Sequence, residues 1–305
     1  MPDVGTKPEK QPKSPPTLAD LLRQDQEAAQ DDAPVVGLPP ARSPFQRAKR
    51  TAPVADLARL AKVWALIGPG GGGKTVLARW LINELAEREM LDRTLLGALD
   101  PTNRTLAHFF ESVMQPPTSD PAETEAWLRT MLQFVARQRL NAALDFGGGD
   151  TSLARLVQAT PDIAGALEDE GVALIAAYVL TPRVDDLATL VTYEGAGFRP
   201  RATALVLNLG RAASPSAFDA VRRQPAYKAA LDRGAVELWM PALEPQDLAL
   251  RIERARLQFS QARDGVAADG SVSRVVGGLE RSRVRHWLEQ MRSEFAAVES
   301  WLPWA

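Results

Sequence analysis

The chain has 305 residues, 45% of them hydrophobic, with 36 Lys and Arg against 38 Asp and Glu and no cysteine. That length buries one sizeable core without requiring two, and a net charge of −2 excludes a surface that is basic overall, so any DNA contact must be local. The lack of cysteine excludes disulfides, zinc–thiolate sites and thiol catalysis, and it fits a reducing compartment.

No secretory signal is visible in the polar, proline-rich N-terminus. The apolar run at 172–180 is shorter than the ~20 residues that span a bilayer. The expectation is a cytoplasmic protein with no transmembrane segment.

Residues 1–55 are rich in Pro, Lys, Asp and Gln and cannot bury enough apolar surface to offset ordering entropy, so they read as a disordered arm. Within it residues 17–29 fit a short helix that docks on a partner. Arg42, Arg47, Lys49 and Arg50 form a small basic cluster, either a solvated linker or a local nucleic-acid contact.

Residues 68–75 read GPGGGGKT, a complete G-x-x-x-x-G-K-[ST] phosphate-binding loop. A short apolar run at 62–67 precedes it. After it Val76, Leu77, Trp80, Leu81 and Leu85 recur at helical spacing, so strand, loop and helix follow in the required order. Gly70, Gly71, Gly72 and Gly73 let successive backbone N–H groups curl toward phosphate oxygens, and the new helix adds the partial positive charge of its N-terminus. Lys74 is the candidate for the β and γ phosphates, Thr75 for Mg²⁺, and Val76 completes the cofactor-binding stretch.

Apolar strand-like runs then alternate with helical patterns at 94–99, 140–144, 172–180, 203–207 and 235–240. That alternation predicts an α/β fold, a mainly parallel sheet with helices on both faces. Ligands in such sheets bind at the carboxyl ends of the strands. Asp100 ends the second run and Asp145 the third, each able to bind Mg²⁺ or orient a water, or simply to start a turn. Glycines 147–149 suit a loop that moves when a γ-phosphate leaves.

Taken in order, GPGGGGKT, LLGALDPTNRTL, AALDFGGGDTSLARL, VLTPRVDDLATL and ALVLNLG resemble the ParA/MinD group of P-loop ATPases, from about residue 62 to residue 255. The resemblance implies ATP and Mg²⁺ as cofactors and a dimer in the ATP state. It puts Asp100 on the attacking water and Asp145 beside Mg²⁺. It also puts Asn208 at adenine, although an Asn there equally caps a turn.

The resemblance implies slow hydrolysis stimulated by a protein partner, in the service of positioning a cargo such as a plasmid or a conjugal-transfer complex. Relatives begin the loop with an extra lysine that reaches a partner's phosphates, where this chain has Pro69. Arg104, in the first switch segment, is a candidate substitute for that charge.

Toward the C-terminus residues 262–278 read as a linker between an ATPase domain at 56–261 and an amphipathic helix at 279–305. Val284, Leu288, Met291, Phe295, Val298 and Leu302 form an apolar seam expected to pack on the ATPase core or a partner helix. Four arginines there also permit a membrane-surface helix, which four glutamates oppose. His108 and His286 lack sequence partners that suggest catalysis. The sequence reads as that of a nucleotide switch; the alternatives are a small-molecule kinase or ATP-dependent ligase on the same fold, and a non-hydrolysing nucleotide-binding module.

Overall fold

The computed structural model describes residues 45–48, 52–99, 106–267 and 269–305. Asp100, Arg104, the helix expected at 17–29 and all of the basic cluster except Arg47 lie outside the described residues.

The chain begins its fold with β1 (Ala61–Ile67), followed by α1 (Lys74–Glu87), β2 (Thr94–Ala98), β3 (Val113–Met114), α2 (Pro121–Gln138) and β4 (Asn141–Asp145). Next come α3 (Ser152–Ala159), α4 (Ile163–Asp169), β5 (Val172–Leu180), α5 (Ala188–Gly195) and β6 (Ala202–Asn208). The last elements are α6 (Asp219–Arg222), α7 (Pro225–Asp232), β7 (Val236–Met240), α8 (Gln246–Arg254), α9 (Phe259–Asp264) and α10 (Gly278–Phe295). The strands form a seven-stranded sheet in the order β3-β2-β4-β1-β5-β6-β7, every pair parallel. The two-residue β3 was not expected from the sequence, being too short to carry a period.

Helices cover both faces because the strands alternate. From β1, Trp64 and Leu66 join one core with Leu77, Trp80 and Leu81 of α1 and the apolar sides of α8, α9 and α10. Val63, Ala65 and Ile67 point the other way, into a core shared with α2, α3, α5 and α7. All nine residues of β5 are buried, as a strand covered on both faces requires.

Local chemistry sets helix limits. Asp120 caps α2 by accepting from the amides of Ala122 and Glu123 at 2.9 and 3.0 Å, with Pro121 pre-setting the first turn.

The stretch read as a linker is part of the fold. The last turn of α9 occupies its start, Val266 and Val272 form an antiparallel bridge, and Val276 is buried in the core of α1 and α10. The seam expected at the C-terminus packs on that same core, all six of its apolar residues being buried. Regular helix stops at Phe295 and a 3₁₀ segment runs from Ala296 to Trp301, so the helix expected over 279–305 is shorter than its pattern. Val298 leaves helical geometry there, which turns the chain back so that the Trp64 indole N–H donates to the Trp301 carbonyl at 2.8 Å. Among the described residues no helix is long and apolar enough to cross a membrane.

Candidate functional site: the tips of β1, β4 and β6

The glycine-rich loop leaves β1 at the centre of the sheet and enters α1 through Gly73. That residue has φ of +103°, and a Cβ on it would run into the Asn208 amide. Glycine is therefore required there twice over, by conformation and by space. The Gly72 amide donates to the Pro69 carbonyl at 3.1 Å, closing the turn.

Lys74 is buried, and its ammonium donates to the carbonyls of Gly68 at 2.9 Å and Pro69 at 2.8 Å. The ammonium is thus held inside the curve of the loop, at the N-terminus of α1, where positive charge accumulates.

β4 lies beside β1 in register, Leu66 opposite Asp145. This delivers the Asp145 carboxylate to the first turn of α1, where Oδ2 accepts from the Thr75 hydroxyl at 2.8 Å. A hydroxyl and a carboxylate together are the hard oxygen donors a magnesium ion takes from protein when phosphates and water complete its shell. Among the described residues there is no cluster of three acidic or histidine side chains, so a cation here would need those outside ligands.

Beyond Asp145 the loop of Phe146 and glycines 147–149 folds against the phosphate loop. A Cβ on Gly148 would collide with the Gly70 amide nitrogen, so the two loops touch backbone to backbone.

Asn208 ends β6 and braces the loop from the other side. Its Nδ2 donates to the Gly72 carbonyl at 2.7 Å, and its Oδ1 accepts from the Gly210 amide at 2.8 Å. The side chain therefore both caps the following turn and holds the phosphate loop.

Two neighbouring cavities open here. One, of about 190 Å³, is bounded by Gly70, Gly71, Lys74, Thr75, Asp145 and Gly148. The other, of about 230 Å³, is bounded by Asn208, Arg211, Met240, Pro241 and Leu243. Gly73, Val76, Arg211 and Glu253 line both. A larger cavity of about 430 Å³, lined by Arg283, His286 and Gln290 among others, lies behind Trp287 and does not reach the phosphate loop.

The structure thus brings together Gly70, Gly71, Gly73, Lys74, Thr75, Val76 and Asp145 around one cavity, with Gly72 and Asn208 as its support. Two contributors were missed from sequence, Arg211 and Glu253. Arg211 stands three residues beyond the tip of β6, a place where the rule of strand ends pointed. Glu253 is an exposed carboxylate on α8, with nothing in its local pattern to mark it.

Arg79, on the buried side of α1, stacks its guanidinium 3.7 Å from the Phe109 ring centre and 4.6 Å from that of Phe259. It also donates to the Leu257 carbonyl at 2.8 Å. Burial lowers its pKa to about 10, against the opposing influence of Glu253. The cation is retained because two aromatic faces and a carbonyl replace its water.

Compared with known proteins, the chain matches no family model and no curated sequence.

Proposed function

We propose that this protein is a Mg²⁺- and ATP-dependent switch. The observation that carries the reading is the convergence of Lys74, Thr75 and Asp145 at the adjoining tips of β1 and β4, with the 147–149 loop lying on the phosphate loop. Bound Mg²⁺ would neutralise part of the triphosphate charge. Lys74 offers its ammonium to the terminal phosphates, exchanging two loop carbonyls for phosphate oxygens. Thr75 and Asp145 would offer oxygen to the metal, and the amides of Gly70, Gly71 and Gly73 would be offered to the phosphate chain, that of Gly72 being held by the Pro69 carbonyl.

The second cavity, between Asn208, Met240 and Leu243, offers a base a partly apolar slot. Because Gly148 sits against Gly70, a phosphate entering the loop must also be felt by the 147–149 segment. That supports coupling of nucleotide state to a surface loop and hence to a partner. Asp100 remains the proposed group on the attacking water. Dimerisation with ATP, a partner that stimulates slow hydrolysis, a cytoplasmic setting and a plasmid or transfer complex as cargo belong to the same proposal.

The test is ATP hydrolysis together with light scattering on wild type, Lys74→Ala and Asp100→Ala. Wild type should bind ATP, dimerise and turn over slowly; Lys74→Ala should lose binding, and Asp100→Ala should bind without turnover. A wild-type protein inert toward ATP would end this reading. Pro69, which denies the loop an extra cation, favours a non-hydrolysing module as the second reading. Tight ATP binding with no turnover under any partner would select it.

A further inference from the structure

The loop carries one lysine where the resembling ATPases carry two, and Pro69 stands in the second place. The described structure brings another cation to the same space. Arg211, in the 3₁₀ turn Leu209–Arg211 that follows β6, lines the phosphate cavity and its neighbour together. Its Nη2 lies 3.9 Å from where a Cβ on Gly71 would stand, so the guanidinium lies beside the loop at that residue. The turn that presents it is fixed at its base, because Asn208 holds both Gly210 and Gly72.

Arg211 is exposed, and among the described residues no ion pair or side-chain hydrogen bond engages its guanidinium. This contrasts with Arg222, Arg233, Arg251, Arg263 and Arg292, each tied to a carboxylate. Unlike Arg79, which is committed to two rings and a carbonyl, it has its donors available.

We propose that Arg211 is a phosphate-contacting residue that supplies, within the same chain, the positive charge missing at Pro69, with the β and γ phosphates of a nucleoside triphosphate as its ligand. The inference rests on the reading of the site as a nucleotide pocket. A guanidinium suits the task because its planar fork gives two parallel N–H donors to phosphate oxygens. Glu253, the carboxylate facing the same space, opposes phosphate and so narrows where a triphosphate can lie.

The experiment measures the affinity of ATP and of AMP, each with Mg²⁺, for wild type, Arg211→Ala, Arg211→Lys and Arg104→Ala. Thermal melts without nucleotide accompany it. Because no ion pair or side-chain hydrogen bond among the described residues engages Arg211, Arg211→Ala should melt with wild type. The expected result is a loss of ATP affinity of at least about tenfold in Arg211→Ala, AMP affinity nearly unmoved, and partial recovery in Arg211→Lys, the scale of a charge-assisted hydrogen bond.

An unchanged ratio of ATP to AMP affinity in Arg211→Ala would overturn the assignment while wild-type ATP binding kept the nucleotide reading intact. Equal losses for ATP and AMP would overturn it in favour of a contact to the base, the ribose or the α phosphate. A loss confined to Arg104→Ala would overturn it in favour of that residue. No binding of either nucleotide by wild type would remove the reading itself, and the assignment with it.

Discussion

Arg292 of α10 grips Glu84 of α1, its Nε lying 2.9 Å from one carboxylate oxygen and its Nη2 2.9 Å from the other. Glu84 is wholly buried and also accepts from Arg88 at 2.7 Å, while Arg292 reaches Glu87 at 2.6 Å. The helix that begins at the phosphate loop is therefore pinned at its far end to the C-terminal helix. Trp80 reinforces the link, its ring centre 4.5 Å from that of Phe295.

Arg292→Ala should lower stability by about 1.5–3 kcal/mol, the range for hydrogen bonds to a charged partner, because Arg88 alone must then satisfy a buried carboxylate. A double-mutant cycle with Glu84→Gln, read from denaturant melts, isolates the pair. A coupling indistinguishable from zero would show that packing alone holds the two helices.

The C-terminal segment should not be separable from the sheet. Trp301 is fully buried, its indole donates to the Ala55 carbonyl at 2.7 Å, and its own carbonyl accepts from Trp64. Trp301→Ala should cost about 3–5 kcal/mol, and removing residues 279–305 should leave a chain that does not fold cooperatively. A truncated protein with a sharp melt near wild type would contradict this.

The sheet and the glycine-rich turn between β1 and α1 were legible because both are local. Alternation of apolar runs marks strands, and eight consecutive residues define the loop. The partner of Thr75 was legible by a rule of topology, which brings Asp145 to the edge where ligands bind. What the sequence concealed is contact at long separation. Arg211 and Gly71 meet only because β6 lies two strands from β1, beyond β5, and no period in the chain records that. The linker at 262–278 misled for a different reason. Its glycines and serines are those of a tether, while its burial depends on single residues such as Val276, seated by helices far away in sequence.

Glu280 should give the tail an acid-sensitive attachment. Its carboxylate accepts from Arg251, and from the Gly277 amide at 2.7 Å, which closes the start of α10. The Arg251 hydrogen bond, aided by that amide, holds its pKa below the ordinary 4.5 despite some desolvation. A carboxyl with a depressed folded pKa contributes stability that is present above its unfolded value and lost as pH falls through its folded one. Glu280→Gln should therefore be less stable than wild type at pH 7, and the difference should shrink below about pH 4. Melts at a series of pH values decide it, and a difference constant with pH would assign the effect to the cap rather than the charge.

Asn208 should matter to the loop even without ligand. Asn208→Ala leaves the Gly72 carbonyl and the Gly210 amide without their described partner, and should cost about 1–3 kcal/mol. Asn208→Asp should be no better, since a carboxylate would face the Gly72 carbonyl where a donor is needed. Gly73→Ala should fall in the same range, through positive φ and collision with Asn208. An Asp variant as stable as wild type would mean that the amide donor is not what braces the loop.

Gly148→Ala separates the two loops by steric means. The atom it would strike is backbone, so neither side chain rotation nor a small shift relieves it, and overpacking of this kind costs about 1–3 kcal/mol. The cost falls on the arrangement in which the 147–149 loop lies on Gly70. If ATP and Mg²⁺ move that loop away, they relieve the clash, so the variant should gain more melting temperature from nucleotide than wild type does. The measurement is a pair of melts for each protein, with and without saturating ATP and Mg²⁺. A smaller gain in the variant than in wild type would mean that the loops stay in contact when nucleotide is bound, and would count against the 147–149 loop as a reporter of nucleotide state.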